Sequence, residues 1–454
     1  MTMTSINPAT GALIQSYDAM SGAEVSARLD AALRAAPHWG RLPLEHRCDV
    51  LLRLAELLRE RRAELARLMT SEMGKLIGES EAEVDKCALA CTHYAEHAAA
   101  YLADEPIASD ASRSLVACQP LGSVLAVMPW NFPFWQVFRC AAPGLAAGNA
   151  VLLKHASNVP GCALAIEALV RDAGVPDGVF STLLIGAEAV EQVIAHPAVR
   201  AVSLTGSDHA GRRVAAAAGA QLKKTVLELG GSDAFVVLED ADLDLTAQVA
   251  LQSRFMNAGQ SCIAAKRFIV VAAVAAEFMA RLQAGVAALR PGDPMQRETT
   301  LAPMAREDLR QTLHEQVSAS IAAGALPVMG AAIPEGPGFF YPATILDRVA
   351  PGMPAYEEEL FGPVAAVIHA ADEDDALRIA NDSRFGLGGS VWTRDEARGE
   401  ALARRLACGC AFVNGIVKSD PRLPFGGIGD SGYGRELSAA GIREFVNLKT
   451  LWIR

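Results

Sequence analysis

No apolar stretch of this chain approaches the roughly 18 residues needed to cross a bilayer, so a membrane-spanning protein is not expected. Positive charge is also in short supply. With 41 Lys and Arg against 52 Asp and Glu the formal net charge is −11, which disfavours nucleic acid and anionic membrane as partners, since both demand a cationic surface. Cysteine is too sparse for a disulfide scaffold: nine thiols in 454 residues, an odd number, point to a reducing compartment. Cys87 with Cys91 and Cys408 with Cys410 are close in sequence, but neither pair has a second pair or a nearby His, so no metal site is expected. Internal repeats and low-complexity tracts are missing. Met1 to Asn7 lacks the basic and apolar regions of a secretory signal, which makes the cytoplasm the expected location. No Gly-x-Gly-x-x-Gly run follows an early strand, and Gly386-Leu387-Gly388-Gly389 comes too late to serve, so an ordinary dinucleotide fingerprint is absent.

What the chain does have is apolar residue. Hydrophobic types make up 51% and charged types 20%, enough to bury large cores, and at ~150 residues per domain the length suggests two or three units. From Leu44 to Met69 apolar residues recur at helical spacing, and a second helical run spans Ile77 to Leu102. From Ser123 onward short apolar runs alternate with helical stretches: Val124 to Met128, Ala150 to Leu153, Val179 to Leu184, Ala201 to Leu204 and Thr225 to Leu229. That alternation predicts an α/β fold with a doubly wound parallel sheet, whose ligand belongs at the carboxyl ends of the strands. A second α/β unit follows from Gly231, with strands at Ala234 to Leu238 and Phe268 to Val271 around a helix at Asp242 to Met256. The segments Ser112 to Gln119 and Phe445 to Ile453 read as strands belonging to neither sheet.

Four polar residues stand out beside these strands. Asn131 lies in Pro129-Trp130-Asn131-Phe132-Pro133, Lys154 in Leu152-Leu153-Lys154-His155, Glu228 in Leu227-Glu228-Leu229-Gly230-Gly231, and Cys262 closes Asn257-Ala258-Gly259-Gln260-Ser261-Cys262. Each has a bland reading by itself: a turn asparagine, a surface lysine, an ion-paired glutamate, a buried thiol. Together, the order amide, ammonium, carboxylate, thiol resembles the aldehyde dehydrogenase superfamily, and the resemblance runs essentially end to end. It implies a Rossmann-type cofactor domain (1–101 and 121–230), an α/β catalytic domain (231–429) and a β-strand oligomerisation arm (102–120 and 430–454). It further implies that Cys262 is the nucleophile, that Asn131 and the Cys262 backbone N–H hold the oxyanion, and that Glu228 activates the water releasing the acyl group.

For the cofactor, NAD or NADP, the resemblance implicates Trp130, Lys154, Ser157, Gly206, Ser207, Gly211, Glu359 and Phe361. Gly206 and Gly211 stand at the family's Gly-x-x-x-x-Gly spacing, at the start of a helical run whose free N–H groups favour a pyrophosphate. Many NAD-preferring members carry Glu where this chain has Ser157, so the electrostatic bar to a 2′-phosphate is missing. Glu359, taken alone, would be one of a solvated acidic run. The aldehyde is expected between the helix after Asn131, the neighbours of Cys262 and the loop before Phe425, which nominates Trp135, Phe138, Ser261, Lys418 and Arg422, with Phe134, Arg139 and Ile263 nearby. Aromatic walls with cations suit a short carboxylated aldehyde, although Arg139, Lys418 and Arg422 also fit plain surface charges. The Met128-to-Pro133 run and the ending Ser431-Gly432-Tyr433-Gly434-Arg435-Glu436-Leu437 are similar to the shorter bacterial succinate semialdehyde dehydrogenases, which implies that substrate and a homodimer or dimer-of-dimers tetramer. The alternatives are another small aldehyde, or a non-catalytic structural or binding protein on the same fold.

Overall fold

Strands buried on both faces cannot alternate polar and apolar residues, and the fully buried runs of Val, Leu and Ala read from the sequence become the centres of two sheets. The computed structural model describes residues 2–454. In the first sheet Ser123–Met128, Ala150–His155, Phe180–Thr182, Val199–Thr205 and Lys224–Glu228 run parallel, and Gly432–Tyr433 adds antiparallel beside Lys224–Glu228. The chain goes outward from Ser123–Met128 through Ala150–His155 to Phe180–Thr182, then returns to the other side of the first strand with Val199–Thr205. The loops after Met128 and Thr205 therefore flank the switch point, where a crevice must open.

The second sheet has seven strands in the order Leu326–Met329, Thr344–Asp347, Val364–Ala370, Ala265–Val271, Asp233–Val237, Gly388–Trp392 and Cys410–Val413. All neighbours are parallel except the first pair. The helices Gly22–Arg41, Leu44–Glu60, Arg62–Met73 and Ile77–Tyr101 precede both sheets. The single amphipathic helix expected over Leu44 to Met69 is two helices, because the chain turns at Arg61 (φ −95°, ψ 12°). Helical periodicity survives such a break, so the pattern alone does not reveal it.

Two later helices begin at residues whose side chains cannot cap them. Phe134 precedes Trp135–Ala146 and Val159 precedes Pro160–Asp172. Buried carboxylates from the N-terminal helices supply the missing acceptors. Glu83 accepts from the Phe134 and Trp135 N–H groups at 2.9 Å each, and Glu72 accepts from Gly161 and Cys162 at 3.0 and 2.8 Å. These caps tie the helical layer to the first sheet and fix the axis on which Trp135 and Arg139 are carried.

A third, small sheet stands apart from the other two. Arg113–Pro120 pairs antiparallel with Val446–Ile453 along eight residues, and Glu105–Pro106 adds to its outer edge. The expected arm segment 430–454 needs correction, since only its end belongs to this sheet. Gly432–Tyr433 completes the first sheet, and the helix Ser438–Glu444 packs on Ile77–Tyr101 and Trp135–Ala146. Asn149 anchors the root of the arm: its fully buried amide accepts from Leu121 and Gly122 (2.8 and 3.1 Å) and donates to the Phe445 carbonyl at 2.9 Å. Asn149→Ala strands two N–H groups and a carbonyl without water. It should lower stability by about 3 kcal/mol, seen as a lower thermal midpoint, whereas an unchanged midpoint would show the arm root is held otherwise.

Candidate active site

The loop that carries Cys262 is held in a conformation few sequences tolerate. After the helix Leu243–Phe255, Asn257, Ala258 and Gly259 all have left-handed backbone, with φ of 54°, 51° and 72°. A side chain on Gly259 would collide with the Gly362 carbonyl and Arg254, so only glycine fits there. The strain is offset by hydrogen bonds. The Asn257 amide donates to the Asn131 and Gln260 carbonyls at 2.9 and 3.0 Å, and the Asn257 N–H donates to Glu79 Oε1 at 3.0 Å.

Two buried cations complete the clamp. Arg254 donates to the carbonyls of Gly259 (2.6 Å), Gly362 (2.7 Å) and Ala265 (3.2 Å), and Lys266 Nζ donates to those of Ser261 (2.9 Å) and Cys262 (2.8 Å). With these carbonyls turned inward, no group among the described residues accepts from the Cys262 backbone N–H. Nothing in the sequence flagged this clamp beyond the oddity of cations beside and within apolar strand and helix runs.

Cys262 lies where two cavities meet, and among the described residues it alone lines both. One cavity, of about 240 Å³, is bounded by Pro129, Trp130, Asn131, Thr205, Gly206, Ser207, Leu229, Gly230, Leu309, Glu359 and Phe361. It occupies the crevice at the switch point of the first sheet. Ser207 caps the helix Asp208–Ala220 by accepting from the Ala210 N–H, so the cavity floor is a helix N-terminus. Gly211 sits beneath Leu229, where any side chain would collide. Glu359 accepts from the Gly231 N–H at 3.0 Å and pairs with Lys266 at 3.1 Å, while Phe361 stands edge-on to Trp130 with centroids 5.8 Å apart. Among the expected cofactor residues, Lys154, Ser157 and Gly211 do not line this cavity, Gly211 lying behind Leu229. Lys154 is partly buried in its strand, which pulls its ammonium pKa down, with Glu188 pulling the other way. Ser157 is exposed and lines a neighbouring cleft with Thr2 to Thr4 and Ala305 to Asp308.

The second cavity, of about 300 Å³, approaches Cys262 from the helices Ile77–Tyr101 and Trp135–Ala146 and the loop before Phe425. Trp135, Ser261, Ile263 and Lys418 line it as expected; Phe138 and Arg422 do not. Helical spacing turns Trp135, Gln136 and Arg139 inward and sends Phe138 into the core. Arg422 is exposed and grips Asp420 at both oxygens, at 2.9 and 2.7 Å. Lys75, Glu79, Glu83 and Lys86 also line the cavity, from the helix Ile77–Tyr101 and the turn before it, to which the sequence pattern assigned no part in the site.

Glu228 ends its strand fully buried, and neither carboxylate oxygen has a hydrogen-bond partner. Gly426 lies against it: a side chain there would reach within 2.8 Å of Glu228 Oε1. Burial holds the Glu228 carboxyl well above the usual carboxylate range; Arg139 opposes this and Glu436 adds to it. Arg139 is itself buried and ion-paired with Glu436, which also accepts from Ser203 at 3.2 Å. Asn131 spends one amide hydrogen on the Gln260 carbonyl at 3.1 Å and keeps the other.

The aldehyde dehydrogenase family profile matches residues 1–451. The probable succinate-semialdehyde dehydrogenase [NADP(+)] of Synechocystis is 52% identical over 453 residues, covering all of both chains. The succinate semialdehyde dehydrogenase [NAD(P)+] of Escherichia coli K12 is 46% identical over 99% of this chain and 97% of its own. The crystal structure of succinic semialdehyde dehydrogenase from Streptococcus pyogenes, in complex with NADP+, superposes with a TM-score of 0.97 at 39% identity, covering 99% of each chain.

Burial pushes the Cys262 thiol up to about 12, with Arg139 and Lys266 only partly offsetting it. Iodoacetamide should therefore label Cys262 slowly at pH 7, and the rate, followed by peptide mapping, should climb about tenfold per pH unit past pH 9. A plateau below pH 8 would show that the cavity does not hold the thiol neutral.

Proposed function

The chain belongs to the aldehyde dehydrogenase family, and on that premise we propose that it oxidises succinate semialdehyde to succinate, using NADP or NAD. The observation that carries this reading is the thiol shared by two otherwise separate cavities, one floored by a helix N-terminus and the other lined by cations and aromatic rings. The high identity to succinate semialdehyde dehydrogenases along the full chain supports the substrate.

The first cavity fits a dinucleotide. Gly206 and Ser207 bring backbone to the helix start, Glu359 is poised for ribose hydroxyls, and Trp130 with Phe361 forms an aromatic flank beside the thiol. Ser157 lacks the negative charge that would repel a 2′-phosphate, which is consistent with the cofactors named for the relatives. When bound there, the nicotinamide ring accepts a hydride.

The residues of the chain account for the remaining steps. The Cys262 sulfur adds to the aldehyde carbon, and the free Asn131 amide hydrogen with the Cys262 backbone N–H receives the negative charge on oxygen. Loss of hydride from that carbon leaves a thioester. Water then attacks the thioester as Glu228 takes its proton, the carbon–sulfur bond breaks, and the acid and the thiol are released. Burial raises the pKa of both groups, Cys262 to about 12, so loss of the thiol proton is required for its step and turnover should rise toward alkaline pH.

The first sheet with the N-terminal helices serves as the cofactor unit and the second sheet as the catalytic unit. The three-stranded arm leaves Ile107, Leu448, Trp452 and Ile453 exposed, which suits pairing with a second copy of the chain. No helix among the described residues is long and apolar enough to cross a membrane, and we place the enzyme in the cytoplasm.

The substrate is tested by comparing kcat/KM for succinate semialdehyde and for butanal, its four-carbon neutral counterpart, with each cofactor. A strong preference for the carboxylated aldehyde is expected, and equal values would discard it. Glu228→Gln should give a burst of one reduced cofactor per site followed by slow turnover, whereas an unchanged steady-state rate would remove Glu228 from deacylation.

A further inference from the structure

Four cations line the cavity on the substrate side of Cys262: Lys75, Lys86, Arg139 and Lys418. They are not equivalent. Lys75 is buried in an ion pair with Glu83, and Arg139 in one with Glu436, so both are already neutralised by the protein. Lys418 is exposed, so solvent screens its charge.

Lys86 differs from all three. It projects from the helix Ile77–Tyr101, its Nζ lies 4.2 Å from the centroid of the Trp135 ring, and it donates to Ser419 Oγ at 2.8 Å. Among the described residues it has no carboxylate partner. Glu83, one helical turn earlier, is committed to Lys75 and to the Phe134 and Trp135 N–H groups, and Asp420 is held by Arg422. An ammonium has three donors, and Ser419 uses one. A mostly desolvated cation over an aromatic face, with spare donors and no counter-ion, is costly unless an anion arrives.

We propose that Lys86 is the cation that receives the distal carboxylate of the substrate and thereby selects carboxylated over neutral aldehydes. This rests on the reading of the chain as a succinate semialdehyde dehydrogenase. Trp135 positions the ammonium from below, and Ser419 ties it to the loop that closes the cavity before Phe425. The carbonyl end of the same substrate reaches Cys262, which lines the same cavity.

The surroundings add a pH dependence. Burial first, and then Arg139, lower the Lys86 pKa to about 8, while Cys87 and Glu83 on its own helix and Asp420 on the loop pull it back up. Lys418 and Lys75, the remaining cations on this cavity, are positive as well and do not substitute for a counter-ion. The free enzyme therefore loses the Lys86 charge as pH rises through about 8, while the substrate stays anionic.

The test is the ratio of kcat/KM for succinate semialdehyde to that for butanal, in the wild type, Lys86→Met and Lys86→Arg. Lys86→Met should lower the ratio by about 10²-fold, the loss expected for one buried charge-assisted pair, chiefly through KM, and Lys86→Arg should restore part of it. A preference kept in Lys86→Met overturns the role of Lys86 and leaves the substrate assignment standing. A wild type with no preference overturns both. Should Lys86→Met fail to fold, the wild-type profile decides: KM for succinate semialdehyde should rise above pH 8 relative to that for butanal, and parallel profiles would overturn the proposal.

Discussion

Everything in the site depends on buried cations that hold the carbonyls of one loop. Arg254 and Lys266 between them take the carbonyls of Gly259, Ser261, Cys262, Ala265 and Gly362. A loop with left-handed residues at 257 to 259 would not otherwise persist, because its unpaired backbone groups would be buried without water. Once the carbonyls face inward, the Cys262 N–H is left for a ligand. Lys266 also pairs with Glu359, so the acid of the cofactor-side cavity and the thiol loop are positioned by the same ammonium. Burial pulls Arg254 down to about 9, still charged at neutral pH, and its two terminal nitrogens bond to carbonyls because those are the acceptors the loop offers.

A second constraint is the handling of buried charge in the interior. Arg139 against Glu436 and Lys75 against Glu83 remove four charges from play, and Glu72 and Glu83 are drawn to helix N-termini that lack caps of their own. What remains unpaired is conspicuous by contrast. Glu228 has no hydrogen-bond partner and lies buried against Gly426, and Lys86 has no carboxylate and lines the cavity that reaches Cys262. In a low-dielectric interior such groups are tolerated chiefly where a ligand or a proton transfer uses them.

The fold class and the strand positions were legible because doubly covered parallel strands must be apolar throughout, a requirement local sequence displays directly. The crevice followed from strand order, and the motif residues Trp130, Asn131, Gly206, Ser207, Glu359 and Phe361 do come together there with Cys262. Phe138 and Arg422 were misplaced for different reasons. Which face of a helix meets a cavity depends on rotation about its axis, and whether a guanidinium serves a ligand depends on whether a neighbour such as Asp420 already holds it. The break at Arg61 and the return of Gly432–Tyr433 to the first sheet were hidden likewise, since neither changes the local pattern.

The sequence by itself determined the order of the chemical groups along the chain and the burial of the strands that carry them, because these depend on residue type and short-range periodicity. Tertiary structure alone decided which charges are spent and which are left. Arg139, Lys75, Lys86 and Lys418 are all cations in the sequence, and only the packing of distant segments supplies Glu436 to one, Glu83 to another, leaves Lys418 exposed, and gives Lys86 a ring and a hydroxyl with no counter-ion. Electrostatic partnership is set by distances across the fold, and no local pattern encodes them.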